Sequence, residues 1–190
     1  MRLIQKIFYL TLFASNLVVA QTTIHTSVLV IGGGTSGTAA GIQSARSGVS
    51  TIIAEPTNWL GGMISSAGVS AFDGNHLLPS GIWAEFRERL YQVYGGPNKV
   101  LTGWVSNTLF EPHVADSILK AMAKESKQLS VLFGYQFKKI IVQNKIVKGA
   151  VFYNKNTKKN INIIAYQTID ATELGDAMAS AGIPYYIGME

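Results

Sequence analysis

The sequence predicts an α/β chain: a parallel sheet that carries a helical insertion and an antiparallel β-meander. Three observations predict it. Residues 28–31, Val-Leu-Val-Ile, form a short β-branched apolar run, as a strand buried on both faces should. The run stops at three glycines, and a segment with helical spacing and small residues (Ala39, Ala40, Gly41, Ala45) comes next. A second apolar run, 51–55, then ends in Glu55. Strand, glycine turn, helix and strand in quick succession read as a βαβ unit, whose two strands lie parallel.

The glycines have a defined spacing. Gly32, Gly34 and Gly37 satisfy G-x-G-x-x-G, with Gly33 and Ser36 inside the motif. Gly32 permits the tight turn, Gly34 lets a pyrophosphate approach the backbone, and Gly37 lets helix and strand pack closely. The free N–H groups and positive end of the helix then face the phosphates. Glu55 stands about 20 residues further on, where an acidic side chain accepts hydrogen bonds from an adenosine ribose. A glycine turn with an incidental surface glutamate is the plainer alternative. The strand-helix-strand context favours a Rossmann-like dinucleotide-binding domain.

Beyond Glu55 the sequence carries a resemblance. Residues 55–63 end in Gly61-Gly62-Met63, with Ser65, Ser66, Ala67 and Gly68 after them, and residues 168–176 read Thr-Ile-Asp-Ala-Thr-Glu-Leu-Gly-Asp. Together they resemble the FAD-dependent oxidoreductases with two dinucleotide-binding domains, and are most similar to the exported bacterial branch. Glu173 stands where the family's pattern prefers glycine. The resemblance implies an FAD/NAD(P)-binding Rossmann-like fold with FAD as cofactor. It implies that Gly32, Gly33, Gly34, Ser36 and Gly37 hold the pyrophosphate and Glu55 the ribose. Gly61, Gly62 and Met63 would line the flavin side. Asp176 would contact the ribityl chain or pyrophosphate, with Asp170 supporting its loop. Phe133 lies where the adenine would stack, although core packing explains it equally well.

Taken in order, residues 1–20 read as a secretory leader: Arg2 and Lys6, an apolar stretch over 7–14, and small residues before Gln21. The apolar stretch is too short and interrupted to span a bilayer comfortably, so no stable membrane insertion is expected after cleavage. Such a leader implies export to the periplasm or medium. The 190 residues contain no cysteine, which excludes a thiol redox centre or a cysteine-linked flavin among them. Of the 16 Lys and Arg, removal of the leader leaves 14 against 11 Asp and Glu. The basic residues at 138–159 are scattered at strand and turn positions without interleaved aromatics, so no nucleic-acid surface is expected.

Residues 64–110 read as an insertion. They open with turn formers and continue into an amphipathic helix over 82–94 that Gly95, Gly96 and Pro97 end. A polar linker with Trp104 comes after it. A crossover helix spans 112–127, with Pro112 suited to its first position and Glu111 before it. Strands are expected at 130–133, 137–142, 146–153 and 160–165, the last three forming the meander within 135–165. Residues 166–170 then return as a separate strand. Residues 21–190 have the length of one domain, read as FAD-binding; the resemblance implies a second, substrate-binding region, so the N-terminal part of a longer protein is expected.

Catalytic residues are not evident. His76, in the Asp73-Gly74-Asn75-His76 segment, is the candidate for a substrate-side acid/base or a histidyl flavin link, against the plainer reading of an exposed loop histidine. His25 reads as structural or exposed and His113 as capping or packing near a helix start, and the three histidines make no metal-ligand pattern. The expected activity is hydride transfer from a small organic substrate to the flavin, with an unidentified electron acceptor. Two alternatives stay open: an NAD-binding dehydrogenase of the simple Rossmann class, and a non-catalytic periplasmic binding module on a dinucleotide fold.

Overall fold

The computed structural model describes residues 22–188 except Asn75 and Val105, so the expected leader at 1–20 lies outside the described residues. One six-stranded sheet organises the chain, in the order β3-β2-β1-β6-β5-β4. These strands are β1 (Thr22–Ile31), β2 (Thr51–Glu55), β3 (Leu129–Phe133), β4 (Tyr135–Gln143), β5 (Ile146–Asn154) and β6 (Lys159–Asp170). β3, β2, β1 and β6 run parallel, whereas β6, β5 and β4 pair antiparallel. The α/β class, the parallel core and the meander are all present.

Two expectations about strands need correction. The third meander strand and the return strand are one 12-residue strand, β6. Its residues 159–164 pair with β5, while residues 161–170 pair with β1. The change of pattern near Ala165 marks the loss of one neighbour, not a break in the chain. β1 is likewise longer than its apolar run. Its first half is mostly exposed and is held by β6, so His25 lies within the strand, opposite Ile164.

Four helices cover one face of the parallel sheet: α1 (Thr35–Arg46), α2 (Gly81–Tyr94), the short α3 (Pro97–Val100) and α4 (Pro112–Glu125), whereas α5 (Asp176–Ser180) packs Ala177 against the meander on the other face. The turn α3 falls where a linker is expected from the sequence, because Pro97 is pre-set for a first helical position. Ile42, Phe86, Leu90, Val100, Leu119 and Met122 make the helix-side core. On the opposite face Leu29 and Ile31 of β1 and Ile52 and Ala54 of β2 pack with Ile140, Phe152 and Ile163 of the meander. The parallel sheet is thus the middle of three layers.

The insertion is tied back on itself. Ala71 bridges Leu109, and the Phe110 N–H donates to the Ser70 carbonyl. Phe72, Trp83, Phe86 and Phe110 cluster around this closure, with Phe72 stacked on Trp83 at a centroid distance of 4.4 Å and Phe110 edge-on to Phe86.

An ion network joins three helices. Arg46 of α1 meets Glu85 of α2 through two hydrogen bonds of 2.5 and 2.9 Å, and Arg89 bridges Glu85 and Glu125 of α4. The Arg46 hydrogen bonds, helped by Arg89, hold the Glu85 carboxyl below its ordinary value against the opposing effect of burial. A depressed folded-state pKa contributes stability that is complete above the ordinary value of 4.5 and is lost as pH falls through the folded value. Glu85→Gln should therefore lower the melting temperature by about 2–4 °C at neutral pH, the equivalent of about 1 kcal/mol for a partly exposed pair. The difference should shrink below pH 4.5. Thermal melts at both pH values test it. A constant difference across pH would show that the ionised pair is not the cause.

Candidate functional site

The site is built where β1 and β2 end beside the start of α1. The Gly32 N–H donates to the Ala54 carbonyl at 3.0 Å, and the chain turns there with φ +100°. A side chain at Gly32 would stand 2.5 Å from the Ala171 carbonyl, and one at Gly37 would stand 2.1 Å from the Gly32 carbonyl. Both glycines are therefore required by backbone packed against backbone. Gly34 differs: its φ is −61°, and a Cβ there would meet only the Glu173 carboxylate, at 3.0 Å. The space over Gly34 is otherwise open. α1 has no side-chain cap and no acidic residue in its first turn, which leaves its N-terminal donors directed at that space.

Glu55 is 7% exposed, and both of its carboxylate oxygens are engaged. Oε2 accepts from the Gly33 N–H at 2.7 Å, and Oε1 accepts from the Thr57 N–H at 2.8 Å and hydroxyl at 2.6 Å. Each carboxylate oxygen has two lone-pair directions, so Oε2 keeps one for a ligand hydroxyl. The Gly61-Gly62 loop is bound to the same turn. The Gly61 N–H donates to the Gly33 carbonyl at 2.8 Å, and the Thr35 hydroxyl donates to the Gly61 carbonyl at 2.7 Å.

Two clefts flank the start of α1. One, of about 410 Å³, is lined by Gly32, Gly34, Glu55, Gly62, Asp176, Glu173 and the Tyr135–Phe137 stretch, among others. The other, of about 430 Å³, is lined by Thr35, Ser36, Met63, Phe72, Asp73 and Glu173, among others. Glu173 borders both. Its Oε1 also lies 3.0 Å from where a Cβ on Gly62 would stand. Two adjoining clefts within about 300–1,000 Å³ each, meeting over an uncapped helix start, suit an elongated ligand with an anionic middle. Among the described residues no Lys, Arg or His lines either cleft.

The expected cofactor-side residues are thus brought together except Phe133, and the candidate His76 stands apart from them. Phe133 packs with the helix-side core, beneath Lys120 Nζ at 5.3 Å from its ring, and does not line the first cleft. Tyr135, Gln136 and Phe137 stand there instead, just beyond it in the chain. Asp170 braces the next loop: Oδ1 accepts from the Thr172 N–H and hydroxyl, and Oδ2 from the Met178 N–H. Among the histidines, His25 borders a groove with Lys148 at the far end of the sheet, and His113 is exposed on α4. His76 lies in a third cleft, whose lining shares no residue with the other two. Among the described residues no group of three metal-ligating side chains occurs.

Sequence reasoning misses Asp116. It is buried on α4, where Oδ1 accepts from the Leu60 N–H at 2.8 Å and Oδ2 meets Lys120 Nζ at 2.7 Å. Lys120 in turn donates to the Asn58 carbonyl at 2.6 Å. The crossover helix so fixes residues 58–60, which lead into the Gly61-Gly62 loop. An Asp-x-x-x-Lys pair on a helix carries that signal only weakly, since it is usually an exposed i,i+4 pair.

The model of a family described as FAD dependent oxidoreductase matches residues 27–190. Among solved structures, THI4 of Thermovibrio ammonificans has a TM-score of 0.56 at 17% identity, over 97% of this chain and 72% of that one. A geranylgeranyl bacteriochlorophyll reductase-like protein of Thermoplasma acidophilum has a TM-score of 0.57 at 19% identity, over 85% of this chain and 43% of its own. The flavin-dependent monooxygenase PieE, solved with FAD and substrate, has a TM-score of 0.52 at 14% identity, over 85% and 32%. At these identities the likeness is one of fold. The chain spans well under two thirds of the last two. No curated protein matches it.

Proposed function

Since the chain belongs to the FAD dependent oxidoreductase family, we propose that it is the FAD-binding portion of an exported oxidoreductase. The cofactor of the family is FAD, and the residues present fit it. Gly32, Gly34 and the start of α1 would hold its pyrophosphate, and Glu55 a ribose hydroxyl. The cleft with Tyr135–Phe137 would take the adenine end, and the cleft with Met63, Phe72 and Asp73 the flavin end. Bound there, FAD would supply two-electron chemistry, by which a hydride from an organic substrate would be accepted and the electrons passed to a separate acceptor. The chain's own part is to seat the cofactor and fix its loops: Asp116 and Thr35 hold residues 60–61, and Asp170 holds 172–178. The observation that carries the reading is the pair of clefts meeting over Gly34 and an uncapped helix. Export rests on the leader-like composition of residues 1–20.

The test is a visible spectrum. The protein recovered outside the cytoplasm, its first residue checked by mass as Gln21, is incubated with FAD and desalted. A retained flavin spectrum, with FAD released on heating and identified by mass, is the expected result. Release of NAD in its place would overturn the assignment in favour of a simple dehydrogenase. An intact leader on cytoplasmic protein would remove the export reading alone.

A further inference from the structure

The third cleft has a chemistry of its own. It holds about 310 Å³ between α2, the α3 turn and the loops on either side, and His76, Arg87, Asn98 and Asn107 line it with Tyr91 and Leu101. Of the three arginines among the described residues, Arg46 and Arg89 are ion-paired with carboxylates, whereas Arg87 has no acidic partner there. Its guanidinium is held in place instead by neutral groups. It lies 5.7 Å from the Trp83 ring centroid and 5.9 Å from that of Tyr91, and Nη1 donates to the His76 carbonyl. Nε is buried and has no hydrogen-bond partner among the described residues.

A buried donor on a cation without a counter-ion costs free energy, and each unmatched group of this kind calls for a reason. The neighbours give one. Asn107 Nδ2 lies 3.1 Å from His76 Nδ1, where the amide N–H can donate to that nitrogen and leave Nε2–H as the ring's own donor. Arg87, His76 and the two asparagines therefore bring N–H donors to one cleft. An arginine fork fits a planar carboxylate through two parallel hydrogen bonds. A single cation beside Tyr91 and Leu101, the latter 50% exposed, suits a monoanion with an apolar body better than a phosphate dianion.

We infer that this cleft is a recognition site for a small organic monocarboxylate, with Arg87 as its anion anchor. The inference does not depend on flavin binding. The insertion then does more than cover the cofactor domain: it holds one end of an acid at a place separate from the two cofactor clefts.

The experiment is ¹⁹F NMR of 4-fluorobenzoate with the full chain, with and without added FAD, beside the neutral isostere 4-fluorobenzamide. The acid should broaden with a Kd below about 1 mM, be displaced by unlabelled benzoate, and bind at least tenfold better than the amide. Arg87→Lys, which keeps the charge and loses the fork, should weaken the acid at least tenfold. Asn107→Asp is nearly isosteric and sets a carboxylate in the cleft. It should abolish acid binding with an unchanged circular dichroism spectrum, and it keeps the test decisive if Arg87→Lys does not fold. Equal binding of acid and amide, no broadening of the acid, or an Asn107→Asp protein that binds as the wild type does would each overturn the inference. Acid binding by a chain that retains no FAD would support this site while the flavin reading failed.

Discussion

Gly34→Ala is expected to fold as the wild type does and to bind FAD about a hundredfold more weakly, a loss of about 2.7 kcal/mol. Gly37→Ala, three residues later, is expected to lose the fold of the turn itself. The two glycines belong to one motif, but different things confront their missing side chains. At Gly34 the backbone is in a region that alanine adopts readily, and the only atom near an added methyl is a Glu173 carboxylate oxygen that sits at the mouth of both clefts. A flexible side chain yields easily, so stability should change by no more than about 0.5 kcal/mol. The methyl would nonetheless stand in the path of a pyrophosphate approaching the helix start. At Gly37 an added methyl lies 2.1 Å from the Gly32 carbonyl and 2.9 Å from Ala171 Cβ, both fixed in the sheet and its connection. Relief needs α1 to lift from β1, at a cost of about 3 kcal/mol or more, and a fall in melting temperature of about 6–12 °C. Flavin fluorescence titration and thermal melts on both variants separate the effects. A Gly34→Ala protein with wild-type affinity would show that the phosphates do not pass over Gly34.

The second large effect is at Glu55, where glutamine should be almost as damaging as alanine. Both carboxylate oxygens face donors: the Gly33 N–H on one side, the Thr57 N–H and hydroxyl on the other. An amide presents one oxygen and one NH₂, so in either orientation two donors are set against each other in a nearly buried site. An unsatisfied buried donor costs about 1–3 kcal/mol. Glu55→Gln and Glu55→Ala should each weaken FAD about 10- to 100-fold and lower the melting temperature, since Glu55 also joins the glycine turn to the loop after β2. A surface glutamate predicts the opposite, a neutral Glu55→Gln. Titration within twofold of the wild type would sink the assignment of Glu55 as both ribose ligand and loop anchor.

How much of the fold and site is legible in the sequence depends on the range of each interaction. The βαβ unit, the glycine spacing and the acidic strand end are local patterns with fixed periods, and the strands, turn and helix form at the residues that carry them. The amphipathic helix and the crossover helix are also legible, because an apolar stripe every three to four residues and a Pro at a helix start are short-range signals. The sequence pattern divides β6 in two because it changes where β5 leaves its edge, and a neighbour that comes from distant sequence leaves no local mark. α3 escapes detection for the opposite reason. Four residues are too few to show a period.

The sequence by itself determined the class of fold, the glycine turn at the helix start and the acidic group beside it, since each rests on backbone geometry that only particular residues allow. The tertiary structure decided which distant side chains meet there. It set Glu173 over Gly34 and Gly62, put Tyr135–Phe137 rather than Phe133 along the first cleft, and fastened residue 60 to Asp116 across 56 positions of chain. It also placed His76 away from the clefts of the cofactor domain and beside Arg87. Such meetings depend on how helices and loops pack across the sheet, and packing brings together residues whose spacing in the chain carries no period to read.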